Sequence, residues 1–460
     1  MINLSRRAWM NSMIVAGASS LSSGKSSFTT WLINAAQKRS MQSRMLVTQR
    51  EACVDSLRKY LGANAPKLLR PAGALRYPSI SPSPLGGAYA TQLWDWDTLW
   101  TSRGLFGIAK ALGDDNLHQR VADHARGSLF NFFEAQSDQG RIPIMIDDRN
   151  SDFFGSCKKE RPNKNNQAKP VFGQLALLIA EELRDATWFG PRFDQLLRFY
   201  DSWLRENQAL EGLFVWGNDV AIGDDNDPTT FGRPFCSSAN LLLNCLFYED
   251  LMAAADVARR LNRHQEEKLL SERAINLRRQ IQKYCWDPRD RFFYTVDVQC
   301  VDRRAELIPG VPLGMPMSWR CLPIRIQMFT GFLPMWCGIA TPQQASDLVN
   351  LHYLNKETFH GASGVRSLSA RETMYSLATS GNPSNWLGPV WIIVNYFVWK
   401  GLQAYGFETE ARALADTTLE LLARDLAKSG TLNEYYHPDN GAPLSVKEFM
   451  DWNLLVSEMM

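Results

Sequence analysis

Ahead of a helical stretch the chain reads Gly223-Asp224-Asp225-Asn226-Asp227-Pro228, three carboxylates within four residues. Like charges so close repel, and repulsion together with burial lifts at least one pKa, the condition for a general acid near neutrality. A second acid, Glu434, stands in Leu432-Asn433-Glu434-Tyr435-Tyr436-His437-Pro438, followed by a Pro-Asp-Asn-Gly turn. Hydrolysis of a glycosidic bond requires two carboxyl groups facing one bond, one protonated and one ionised. An Asp and a Glu from distant loops would meet that requirement. Two other readings of the acidic loop stay open at this point. One is a calcium loop, although the D-x-D-x-D-G spacing is absent; the other is simple capping of the next helix through Pro228. Read alone, Glu434 is equally a surface glutamate.

Aromatic residues accompany these acids. Trp94-Asp95-Trp96-Asp97-Thr98-Leu99-Trp100 alternates rings with carboxylates, and Trp386-Leu387-Gly388-Pro389-Val390-Trp391 sets two rings around a rigid Gly-Pro helix start. Rings over the apolar C–H faces of a sugar, with carboxylates and amides at its hydroxyls, hold a neutral polyol. Trp216 and Gly223 flank the acidic loop, Tyr435 follows Glu434, and Asn165-Asn166-Gln167 offers amides ahead of Lys169-Pro170. Arg366 and Arg371 are candidates for the same cleft, where either would accept an acidic aglycone.

The elements that position these residues are read from periodicity. Apolar residues at three-and-four spacing predict helices over 103–112, 117–136, 171–184, 193–206, 237–261, 265–284, 341–351, 389–404, 408–426 and 445–458. Long loops rich in Gly, Pro, Asn, Asp and Trp separate them, at 80–101, 139–170, 211–236, 286–325 and 358–388. Loops of that length with so many rings are expected to build a site. Only 291–298 reads as strand, a local hairpin. Helix pairs with irregular spacing suit an all-α closed ring, an (α/α)6 barrel with at most small β-hairpins, better than a stack.

With 460 residues, 45% of them hydrophobic, a large core is assured, and a net charge of +2 without a basic block excludes the footprint of a nucleic-acid binder. The eight cysteines show no metal-ligand spacing and read as single thiols, with one or two disulfides if the chain is exported. Six histidines form no matched pair, which removes most support for a sugar isomerase or epimerase. No apolar stretch of about 18 residues predicts a membrane span. Ser5-Arg6-Arg7, a short apolar stretch and Ala16-Gly17-Ala18 resemble a twin-arginine export signal. The expected organisation is a leader over 1–30, an extension over 31–84 and a catalytic domain over 85–460. The expected location is periplasmic or secreted, with a cytoplasmic protein as the alternative.

In order, these segments resemble the inverting glycosidases of glycoside hydrolase family 63 and their mannosylglycerate and glucosylglycerate hydrolase relatives, and more distantly the trehalases. Trp94-Asp95-Trp96-Asp97 resembles W-x-W-D, Gly140-Arg141-Ile142-Pro143 resembles G-x-I-P, and Gly223-Asp224-Asp225-Asn226 resembles G-x-D-N. Gly364-Val365-Arg366-Ser367-Leu368-Ser369 is similar to G-V-P-S-L-S, and Asn385-Trp386-Leu387-Gly388-Pro389-Val390-Trp391 to Y-W-R-G-P-V-W, with Leu387 in place of the arginine. Glu434-Tyr435-Tyr436-His437-Pro438 is similar to E-Y-Y-D-P. The resemblance implies that Asp225 is the general acid and Glu434 the general base. It also implies sugar contacts from Trp94, Trp96, Asp97 and Gln167, with Trp386 and Trp391 walling the same subsite. No metal and no cofactor is implied. The substrate expected is a small α-glycoside cut at its terminal sugar, glucose ahead of mannose. A non-catalytic carbohydrate-binding protein is the remaining alternative.

Overall fold

Eighteen residues, Asp95–Leu112, form the first helix of the ring, α1, and it starts well before the periodicity suggests. The alternation of rings and acids looks like a period of two. Yet Trp96 and Trp100 are four apart and share a helix face, and Asp95 and Asp97 in the first turn favour its positive end. The Asp95 carboxylate accepts from the Trp96 amide at 2.7 Å, and Thr98 Oγ1 donates to the Trp94 carbonyl at 2.5 Å. The segment read as the end of a loop is therefore a helix start.

The structure, a computed structural model, describes residues 48–158, 164–300, 310, 320–378, 384–445 and 447–460. The expected leader lies outside the described residues. The chain divides into two compact units, Met1–Ala52 and Cys53–Met460, so residues 53–84, read as an extension, belong to the same unit as the ring.

Within the larger unit the helices alternate between two layers. Those of the ring are α1, α2 (Asp115–Glu134), α3 (Phe172–Leu183), α4 (Phe193–Asn207), α5 (Leu241–Arg260), α6 (His264–Tyr284), α7 (Leu333–Trp336), α8 (Pro342–Asp347), α9 (Ile392–Ala404) and α10 (Glu408–Ser429). A 3₁₀ turn at Phe329–Phe332 leads into α7, a π-helical turn at Leu348–Tyr353 extends α8, and a 3₁₀ helix, Asp451–Glu458, ends the chain. Contacts run from α1 to α3, from α3 to α5, from α5 to α7, from α7 to α9, from α9 to the terminal 3₁₀ helix, and from that helix back to α1. Six inner segments thus close a ring, and α2, α6 and α10 pack outside their neighbours. This is the (α/α)6 toroid that the periodicity pointed to.

The closure is tight. A Cβ on Gly104 in α1 would stand 2.3 Å from Leu454 Cβ, so only glycine admits the terminal helix there. The sheets are small, and residues 291–298 do not form a self-contained hairpin. Phe292–Phe293 pairs with Trp286–Asp287, whereas Val296–Asp297 lies between Ser238–Ala239 and Leu322–Pro323.

Candidate active site

The N-terminal ends of the inner segments face one side of the ring. There a pocket is lined by Tyr89, Trp94, Trp96, Asp97, Lys169, Ala221, Gly223, Asp225, Ser384, Glu434, Phe449 and Trp452. Six residues singled out from sequence meet in it: Trp94, Trp96, Asp97, Gly223, Asp225 and Glu434.

Asp225 is presented by a loop whose other acids point inward. Asp227 is fully buried and accepts from the Thr229 amide at 2.7 Å, Thr229 Oγ1 at 2.8 Å and Asn240 Nδ2 at 2.8 Å. Asp224 is also fully buried, beside Asp227, and no other residue places a hydrogen-bond donor on either of its oxygens. Burial first, and then the Asp227 charge, hold Asp224 well above the usual carboxylate range. A neutral Asp224 lowers the repulsion that three neighbouring carboxylates would suffer. Asn226 Oδ1 accepts from the Trp386 amide at 2.7 Å and completes the anchoring. Gly223 has φ +106°, and a Cβ there would meet Trp96 and Lys169 at 3.1 Å.

Glu434 is held by a separate set of contacts. Tyr436 exchanges backbone hydrogen bonds with Val390 at 2.8 and 2.9 Å, while Asn433 Nδ2 and the Tyr436 hydroxyl both donate to Asp425 at 2.8 Å. The Glu434 carboxylate, 5% exposed, accepts from Ser445 Oγ at 2.9 Å. Burial pushes Glu434 up to about 7; the Ser445 hydroxyl opposes this, and the charges of Asp225 and Asp97 reinforce it.

Lys169 is a lining residue that the sequence reading passed over. Its Nζ lies 3.1 and 3.2 Å from the Asp95 oxygens, 3.1 Å from the Ala221 carbonyl and 5.7 Å from the Trp96 ring centroid. The pair is buried, so the acid at the start of α1 fixes the cation in the wall. That alternating motif was the one available signal. Tyr89, Ala221, Ser384, Phe449 and Trp452 gave none, since Phe449 and Trp452 read as ordinary apolar positions of a helix.

The other expected contacts do not reach the pocket. Trp386 and Trp391 are fully buried and stack on each other, centroids 4.1 Å apart, with their indole N–H groups spent on Ser384 Oγ and the Asn385 carbonyl. Tyr435 is buried against Trp391 at 4.6 Å. Together they back Trp452, which takes the wall position. Trp216 is packed on Trp203, and the Gln167 carbonyl oxygen accepts from Ser202 Oγ at 2.9 Å inside the core. Arg366 is buried, donating to the His360 carbonyl at 2.6 Å and to Asp439 at 2.7 Å, and Arg371 pairs with Glu357 at the surface. Neither arginine lines the pocket. No group of His, Cys, Asp and Glu among the described residues is arranged to hold a metal.

An (α/α)6 toroid with carboxylates and tryptophans at one mouth defines a class of carbohydrate-active proteins, and the comparisons agree with that class. Residues 91–452 match the model of the mannosylglycerate hydrolase MGH1-like glycoside hydrolase domain. The chain belongs to this family, within glycoside hydrolase family 63. Mannosylglycerate hydrolase MGH1 of Selaginella moellendorffii is 32% identical over 111 residues, 24% of this chain and 20% of that protein. Mannosylglycerate hydrolase of Thermus thermophilus is 31% identical over 132 residues, 28% of this chain and 29% of that protein. These matches therefore span less than a third of the curated relatives. Among solved structures, the Thermus thermophilus mannosylglycerate hydrolase in complex with glucose superposes with a TM-score of 0.61 at 19% identity, covering 89% of this chain and all of that one. Neutral trehalase of Saccharomyces cerevisiae follows with a TM-score of 0.56 at 16% identity, covering 84% and 74%. At such identities the likeness is one of fold.

Proposed function

We propose that the chain is an inverting exo-acting α-glycosidase that releases the terminal sugar, glucose ahead of mannose, from a small glycoside. The observation that carries the reading is the meeting of Asp225 and Glu434, from loops far apart in sequence, in one aromatic-walled pocket. Asp225 as an acid donates its proton to the leaving glycosidic oxygen. Glu434 as a carboxylate takes a proton from water, which attacks the anomeric carbon from the opposite face. Each acid ends the cycle in the other's protonation state, and exchange with solvent restores both.

Trp94, Trp96 and Trp452 offer apolar faces to the ring, and Asp97 offers an acceptor to its hydroxyls. With Lys169 neutralised by Asp95, the lining carries carboxylate charge, which suits a neutral sugar in this subsite. The closed floor of a toroid favours attack at a chain end. No histidine lines the pocket, so the isomerase reading lacks its base. Export through the Ser5-Arg6-Arg7 segment stays part of the proposal; no described helix is long and apolar enough to cross a membrane. The test is hydrolysis of α-glucosides, α-mannosides and α-galactosides by the wild type, Asp225→Asn and Glu434→Gln. Release of sugar by the wild type alone is expected, and activity retained in either variant contradicts the assignment.

A further inference from the structure

Behind the pocket wall lies a second acid that this mechanism does not use. Asp451 opens the terminal 3₁₀ helix and is fully buried. Its amide donates to the Pro82 carbonyl at 3.3 Å, and Thr101 Oγ1 donates to its Oδ1 in a short contact. Oδ2 is sealed from solvent with no donor in reach. Thr101 lies one turn along α1 from Asp97 and on the same face, so the bond to Thr101 sets the Asp451 carboxyl beside that of Asp97, and the two acids interact.

Two ionised carboxylates present acceptors only, so this contact requires a proton. The surroundings decide which acid holds it. Burial raises Asp97 to about 6 and the Asp95 charge adds to this, while the Asp451 contact and, less strongly, the Lys169 charge favour its ionised form. Asp451 is faced by Asp97 and Glu434, and Tyr89 stands over the same group of acids. Burial first, and then the Asp97 charge, hold it well above the usual carboxylate range.

We propose that Asp451 is a positioning residue of the sugar site: a carboxylic acid that stays protonated and donates to Asp97, so that Asp97 meets a sugar hydroxyl as an ionised acceptor in one fixed orientation. The inference rests on the sugar-site reading of Asp97. Asp451→Asn keeps a donor toward Asp97 and an acceptor for Thr101, whereas Asp451→Leu keeps the volume and removes the donor.

Binding of D-glucose and D-mannose is measured by calorimetry across pH in a Glu434→Gln background, where Glu434 no longer titrates. Glu434→Gln and its Asp451→Asn double variant are expected to lose affinity together below about pH 6. In the Asp451→Leu double variant Asp97 loses the bond that favours its charge, and the loss sets in roughly one pH unit higher or more. A purely structural role for Asp451 would lower stability without moving that midpoint. In parallel, an infrared difference between wild type and Asp451→Asn in mildly alkaline buffer is expected to show a protonated carboxyl band. Coincident profiles for all three variants, or no such band, overturn the proposal. Should Asp451→Leu fail to fold, the band alone decides. If neither sugar binds while the band is present, the sugar-site reading falls and the shared proton stands.

Discussion

The Glu434 carboxylate sits in a place that favours its neutral form, and this has two opposite consequences. A general base must be ionised, so with Glu434 at about 7 the value of kcat/KM is expected to fall as pH drops through about 7. A pH profile on any accepted substrate checks this, and an acidic limb near the ordinary glutamate value contradicts it. For stability the sign reverses. The folded-state pKa lies above the unfolded value, so the folded chain binds the extra proton, and Glu434 contributes stability below about 4.5 that is lost as pH rises through about 7. Glu434→Gln is therefore expected to be more stable than wild type by about 1–3 kcal/mol at mildly alkaline pH, with the gain vanishing in acid, as denaturant titrations at both ends would show. Asp225→Asn and Glu434→Gln are each expected to lower kcat by a factor on the order of a thousand, the size of contribution that a positioned proton-transfer group makes.

At the scale of elements, the starts of α1, α3 and the terminal 3₁₀ helix and the loops at 221–225 and 434 bring their groups to the pocket, and glycines set how closely these pieces approach. Gly223→Ala places a methyl against Trp96 and Lys169 on a backbone of φ +106°. It is expected to destabilise by about 1–2 kcal/mol and to raise KM, measured by thermal melts and steady-state kinetics. Much of this layer was legible in the sequence, because amphipathic spacing marks a helix whichever mouth of the ring it faces. Three things were hidden. The alternation in Trp94–Trp100 disguised a helix start, since polar residues held by local hydrogen bonds break the apolar stripe. The rings at Trp386, Trp391 and Tyr435 look the same in sequence whether they form a wall or stand behind one. Only packing gives the pocket-facing position to Trp452 instead. Lys169 was hidden in a similar way, because its partner Asp95 lies in another motif and only the fold joins them.

For the whole molecule, ring closure is the property on which the pocket depends, and it is made by the last segment of the chain packing on the first inner helix. Gly104→Ala, far from the chemistry, forces a methyl onto Leu454 and is expected to cost about 2–3 kcal/mol, lowering the melting temperature without altering the pH profile of the remaining active fraction. The same closure brings Trp452 into the pocket that Asp97, Asp225 and Glu434 line, so the pocket wall is complete only when the ring is. The near-neutral charge and the committed lysine both fit a pocket for an uncharged sugar. The central claim, single-displacement hydrolysis by Asp225 and Glu434, is tested most directly by following the first turnovers on an α-glucoside and an α-mannoside by proton NMR. The β anomer of the released sugar is expected to appear first and then to equilibrate. Initial release of the α anomer, or no release from any α-glycoside, would contradict it.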